Sequence, residues 1–260
     1  MSWFSAKPGK AAAERFVLIY SPIWMALVGT VMLGGFYRGW SDPMYMGFGL
    51  LAALPLVVVP WLRPCPEERG LEPWQTSWFR MNLWVAILVG FGNYFGSAYF
   101  FDVLGMRYGF ATTWNLDAAL VGSGRDDVPL FLYPLTQAYF MTYHVGMTVL
   151  YRWLNTRWSL PLVARIVVLA ALAYTIAFAE TFFMAIPALH DVFSYPDRSR
   201  MLVIGSLFYA SYFVISLPVF ATLDEDRPWT LGRTIGSALA VSMGVLILLD
   251  GWASLFGRLL

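Results

Sequence analysis

Residues 177–187 read AFAETFFMAIP, a carboxylate set in an otherwise apolar run that begins near Leu160. That run is long enough to cross a bilayer as a helix. Hydrocarbon does not solvate an ionised carboxylate, so Glu180 is expected to face a protein-lined cavity, to carry a proton, or both. The rest of the chain is read as the walls of that cavity.

The 260 residues are 59% hydrophobic and 13% charged, with a mean hydropathy of +0.61. A soluble domain needs more polar surface than this, which predicts a multi-pass integral membrane protein. A net charge of +1 without a long basic run excludes nucleic acid as a partner. Cys65 lies alone between Pro64 and Pro66, and two distant histidines make no metal-ligand cluster, so no metal is expected. The mildly basic start, Met1 to Lys10, carries no small-residue cleavage pattern of a removable signal. All cationic residues except Lys7 and Lys10 are arginines, a lean towards a GC-rich bacterial source. The membrane would be the inner membrane in a bacterium or the endoplasmic reticulum in a eukaryote.

Windows of about 20 apolar residues fall at 16–37, 44–62, 79–101, 129–154, 160–186, 201–222 and 231–256. The expected fold is therefore an all-α transmembrane bundle of about seven spans, one domain over 1–260. Pro55 and Pro218 should kink the second and sixth spans. Ala173 with Ala177, and Gly236, Ala240 and Gly244, read as helix-packing faces of small residues. Eleven of the seventeen Lys and Arg residues fall on the N-terminal side. Only Arg38, Arg107, Arg125, Arg198, Arg200 and Arg258 fall on the other, which predicts a cytoplasmic N-terminus. The long linker 102–128 is too polar to span and reads as a lid or re-entrant segment. The acidic run Asp224 to Asp226 reads as a solvated loop, and Gly122-Ser123-Gly124 lacks the context of a phosphate loop. No internal repeat of the kind found in many transporters is visible.

Of sixteen acidic residues, only Glu180 and Asp250 lie well inside the expected spans, each about 10 Å from the far end at the helical rise. An acid there serves either chemistry or a buried hydrogen bond that fixes helix register. The fourth span carries a polar stripe, Tyr133, Gln137, His144, Thr148 and Tyr151. His144 reads as a core histidine bonded to a carbonyl or, beside a protonated glutamate, as a proton acceptor. Asn82, Asn93 and Ser97 share a face of the third span with Tyr94 adjacent, as interhelical links or as groups that orient the acid. The aromatic residues inside spans, Trp84, Tyr94, Phe95, Tyr143, Tyr209 and Tyr212 among them, either pack the core or line a cavity for a flat apolar ligand. Their π faces also suit a developing carbocation.

Several short segments then fall into a known order: Trp3-Phe4-Ser5 with Pro8 and Lys10; Asn82-Leu83-Trp84; Gly92-Asn93-Tyr94-Phe95, Tyr99-Phe100-Phe101 and Val103-Leu104-Gly105; Tyr143-His144; Glu180-Thr181. Asp197-Arg198-Ser199, Phe208-Tyr209, Tyr212-Phe213, Ser216, Pro218, Phe220, Leu223-Asp224-Glu225, Leu249-Asp250 and Trp252 follow. Over nearly its whole length the chain resembles the cycloeucalenol cycloisomerase (cyclopropyl sterol isomerase) family. It departs from the family in a longer linker at 111–128 and in composition at 186–196. The resemblance implies a cofactor-free isomerisation that opens the fused cyclopropane of a sterol such as cycloeucalenol to give an internal alkene, obtusifoliol. It further implies Glu180 as proton donor and His144 or Asp250 as receiver. Asn93, Tyr94 and Tyr209 would orient the acid or steady the cation, and Trp84, Tyr143 and Tyr212 would line the cavity. The competing readings are a proton-coupled lipid transporter and a sterol-binding membrane protein without catalysis.

Overall fold

The computed structural model describes residues 3–122, 124 and 127–257. Arg125 and Arg258 of the orientation argument, and Ser123 of the Gly-Ser-Gly segment, lie outside the described residues. Ten α-helices are described: α1 (Pro8–Leu33), α2 (Asp42–Ala53), α3 (Pro55–Leu62), α4 (Ser77–Phe91), α5 (Ser97–Leu104), α6 (Leu132–Trp158), α7 (Leu162–Met184), α8 (Arg198–Arg200), α9 (Ser206–Thr222) and α10 (Leu231–Phe256). A π-helical turn, Gly92–Gly96, joins α4 to α5, and a second, Met201–Gly205, joins α8 to α9.

Five helical stretches are long and apolar enough to cross a membrane: Pro8–Leu33, Ser77–Leu104, Leu162–Met184, Arg198–Thr222 and Leu231–Phe256. A sixth is added if α2 and α3, bent by 45°, count as one span. The bend falls at Leu54 before Pro55, which cannot donate into the helix. Pro218, by contrast, sits inside an unbroken α9. The chain is thus an all-helical membrane protein. α6 is long, 27 residues, but its Tyr, Gln, Thr and His residues lower its hydropathy because it lies inside the bundle against α1, α2 and α4.

Two small-residue patterns behave differently. Ala173 and Ala177 are fully buried on the face of α7 that packs on α9. Gly236 and Ala240 instead face outward on α10. The buried side of α10 is Thr234, Ala238, Val241, Ser242, Val245 and Leu249, so of the three expected small residues it is Gly244, half-buried with Ile215 of α9 beside it, that meets a neighbour. The 102–128 linker is not a plain lid either. Gly105 ends α5 in the left-handed conformation, φ 67°, which glycine adopts without a Cβ clash. Arg107–Tyr108 (β1) then pairs antiparallel with Phe193–Ser194 (β2). The ribbon turns Tyr108 and Phe110 into the wall of the internal cavity.

One end of the bundle is closed by ions. Arg152 Nη2 contacts Glu14 at 2.9 Å and Glu225 at 2.5 Å, and Lys10 Nζ contacts Glu225 at 2.9 Å. Lys10 also donates to the Ala221 and Leu223 carbonyls, at 2.9 and 2.6 Å. Beside it, Arg80 and Asp224 form a buried pair at 2.7 Å. These contacts overturn the reading of 224–226 as simply solvated, because cations from α1, α4 and α6 reach Asp224 and Glu225. They also explain why α1 begins at Pro8: Lys10 and Glu14 are neutralised by partners and so tolerate burial.

Burial opposes ionisation of Glu225, but Lys10 foremost and then Arg152 outweigh it and hold the carboxyl below its ordinary value of 4.5. The stabilisation is therefore present above that value and is lost as pH falls through the lowered one. In thermal unfolding at pH 7 in detergent, Glu225→Gln should cost about 1.5–3 kcal/mol. It should also flatten the acid decline in stability below pH 4.5; an unchanged acid decline would rule out this coupling.

Candidate active site

Glu180 stands seven residues after the buried Ala173, two helical turns on the same face, so α7 turns it inward. The outward face of α7, including Ile166, Val167, Phe178 and Phe182, is exposed. Two adjoining lobes meet at the carboxyl. One, of about 600 Å³, is bordered by Asn93, Ser97, Phe100, Phe140, Tyr209 and Tyr212. The other, of about 640 Å³, is bordered by Val28, Met32, Phe110, Tyr139, Phe183 and Phe193. Glu180, Asn93, Tyr108, Thr136 and Met184 border both.

The acid is held from two helices. Tyr209 Oη on α9 donates to Glu180 Oε2 at 2.5 Å. The Tyr143 hydroxyl of α6 also approaches this carboxyl as a hydrogen-bond partner. Phenols that donate to the carboxyl fix its direction. An aromatic wall stands around them: the Phe140 ring lies 6.0 Å from Tyr209 and 5.9 Å from Tyr212, and Phe100 lies 6.3 Å from Tyr209.

Asn93 reaches the cavity because of its backbone. It sits in the π-helical turn Gly92–Gly96, a distortion that re-aims side chains and recurs at functional sites. The glycines admit Tyr212: a Cβ at Gly92 would lie 2.9 Å from the Tyr212 ring, and one at Gly96 would overlap its hydroxyl. The Asn93 side chain is buried with Nδ2 lacking a partner among the described residues. Thr181 Oγ1, on the other side of the same lobe, is likewise unpaired.

The structure therefore gathers Glu180, Asn93, Tyr143, Tyr209 and Tyr212, and separates the other expected residues from them. His144 is fully buried but borders neither lobe. Its Nδ1 lies 2.8 Å from the Phe140 carbonyl and its Nε2 lies 2.7 Å from Ser216 Oγ. The carbonyl only accepts, so Nδ1 carries the proton and Nε2 accepts from serine. Trp84 packs in the core on His144 and donates to Ser237 Oγ at 3.0 Å. Asp250 is exposed on the outer face of α10, with the Tyr99 hydroxyl 3.4 Å away. Tyr94 borders a separate recess with Asp102 and Asp117. Tyr108, Thr136, Tyr139 and Phe140 belong to the cavity but escaped the sequence reading. Thr136, Phe140 and Tyr143 form a helical face beside the polar stripe, a spacing visible in the sequence, whereas Tyr108 arrives from the linker with no periodic signal.

Fold and site together define a helical membrane protein in which, among the described residues, one carboxyl, held by phenols, borders a largely apolar cavity. Over 263 aligned residues the chain is 33% identical to cycloeucalenol cycloisomerase of Arabidopsis thaliana, covering 98% of this chain and 89% of that protein. The chain belongs to the cycloeucalenol cycloisomerase family, and it is an isomerase. No protein-family model matches it. No solved structure matches it either.

The fit of Tyr212 against the π turn is testable. Gly96→Ala should cost about 1–3 kcal/mol from overpacking, read as a lower unfolding temperature in detergent. Adding Tyr212→Phe, which removes the overlapped oxygen, should restore part of the loss.

Proposed function

We propose that this protein opens the fused cyclopropane ring of a cyclopropyl sterol, of the cycloeucalenol to obtusifoliol type, with Glu180 as the proton donor. The observation that carries the reading is Glu180, the one carboxyl among the described residues that border the two largely apolar lobes, held by Tyr209 at their junction. Cyclopropane carbon is a poor base, so the donor must be strong and kept from water; a carboxyl lodged in an apolar site meets both needs. Ring opening leaves a carbocation. The faces of Phe100, Phe140 and Tyr212 supply negative quadrupole to it, and the apolar walls exclude the water that would trap it. Loss of a proton from the neighbouring ring carbon then forms the alkene. A transporter reading has less support, since the cavity is apolar and no repeat divides the chain.

We also propose seven crossings with a cytoplasmic N-terminus. The ionic cluster supports the count: the start of α1, the start of α4, the late part of α6 and the loop after α9 meet at one end, as alternating helix directions require. The bias of Lys and Arg supports the orientation.

The reading is tested by incubating the purified protein with cycloeucalenol in deuterated water. One deuterium is expected in the newly formed methyl group, and Glu180→Gln should lower the rate by about 10²–10⁴-fold, the usual contribution of a general acid. Unchanged sterol in the wild-type incubation would refute the reading. Asn93→Leu removes a buried, unpaired amide, so its unfolding temperature should equal or exceed wild type, while the KM for sterol rises because a polar group facing the ligand is lost.

A further inference from the structure

We infer that Glu180 is both the acid and the base of the reaction, the carboxylate left after proton donation taking the proton that the ring carbon releases. This rests on the isomerase reading above. Among the described residues that border the two lobes, Glu180 alone is a carboxyl, imidazole or amine. The remaining polar groups are phenols, hydroxyls and the Asn93 amide.

The two residues otherwise suited to receive the proton are placed elsewhere. His144 has both ring nitrogens engaged, by the Phe140 carbonyl and by Ser216, and the packed rings of Phe140 and Phe213 lie beside it. Asp250 faces outward on α10. The groups around Glu180 are Tyr209 from α9 and Tyr143 from α6, which hydrogen-bond to it, and Tyr139 from α6 and Tyr108 from the linker, which border the same lobes. All are phenols.

The step balances without another reactant. The Glu180 O–H proton passes to the cyclopropane methylene carbon, whose ring C–C bonding pair becomes the new C–H bond. The bond breaks and leaves a cation at the other ring carbon. The Glu180 carboxylate accepts the proton of the adjacent carbon, and that C–H pair becomes the alkene π bond. Glu180 ends the cycle protonated, as it began. The carbon that gains a proton and the carbon that loses one are each bonded to the same ring carbon at the outset, so a carboxyl with two oxygens reaches both from one side. A carboxyl that acts first as acid and then as base has a parallel in glycoside hydrolysis. Tyr209, which holds one oxygen at 2.5 Å, keeps the group in place between the two transfers.

The test is the pH dependence of kcat/KM for the full-length protein in detergent with cycloeucalenol. A mechanism with one group that must start protonated, and none that must start deprotonated, gives a flat acid region and a single alkaline limb. A bell-shaped profile reports a second essential group and overturns the inference. Two variants give an independent readout, since a separate base would contribute about 10²–10⁴-fold. His144→Gln and Asp250→Asn are expected to stay within about threefold of wild type, far short of that contribution. A loss of about 100-fold or more in either variant, with wild-type sterol binding retained, identifies that residue as the base and overturns the inference. Failure of His144→Gln to fold leaves the wild-type profile and Asp250→Asn to decide. If the wild-type protein leaves the sterol unchanged at every pH, it is the isomerase reading that fails.

Discussion

A carboxyl that hydrocarbon does not solvate constrains everything around it. Glu180 is tolerable inside the bundle because α7 turns it inward beside Ala173 and Ala177, and because Tyr209 and Tyr143 offer hydroxyls to it. The same largely apolar walls, with phenols as its polar partners, form two lobes that meet at the carboxyl. Cost and use come from one source: a group expensive to bury charged is one that holds its proton until a substrate draws it away.

The cavity survives because the bundle is fastened on either side of it. At one end Lys10, Glu14, Arg80, Arg152, Asp224 and Glu225 join α1, α4, α6 and the loop after α9 into one ionic cluster. At the other, the β1 and β2 ribbon ties the linker to the segment after α7, and the Asp191 contacts with Tyr37 at 2.8 Å and Arg38 at 2.9 Å tie that segment to the connection between α1 and α2. Between them, the Gly92–Gly96 turn lets Tyr212 approach closely and gives Asn93 its position in the wall. The unpaired amide of Asn93 costs folding free energy. Its place unpaired in the cavity wall fits a group kept for a ligand.

Much of this was legible in the sequence because the strongest signals are local. An acid in an apolar run, Pro55 at the bend between α2 and α3 and a pair of alanines four apart each carry their meaning locally, whereas Pro218, expected to kink its span, leaves α9 unbroken. The chain segments that mark the family were legible too, in their order and spacing. What failed to show required partners far away in sequence. The acidic run at 224–226 reads as solvated until Lys10, Arg80 and Arg152 are brought to it, and α1 extends to Pro8 for the same reason. In a membrane the outward face of a helix is as apolar as the inward one, so hydropathy does not reveal that Asp250, Gly236 and Ala240 face out. The polar stripe of α6 was found, but His144 on it is turned into the core, while beside it Thr136 and Phe140 meet the cavity and Tyr143 reaches the Glu180 carboxyl. Tyr108 comes from an irregular linker, where no period exists to read.

The central claim is that Glu180 waits as a neutral carboxylic acid inside the bundle. Infrared difference spectroscopy of the purified protein at neutral pH, wild type against Glu180→Gln, measures this directly. A protonated carboxyl carbonyl band, present in the wild type, shifted in deuterated water and absent from the variant, is the expected result. A difference spectrum carrying only ionised carboxylate bands would contradict the account, because the proton for ring opening would then have to come from elsewhere.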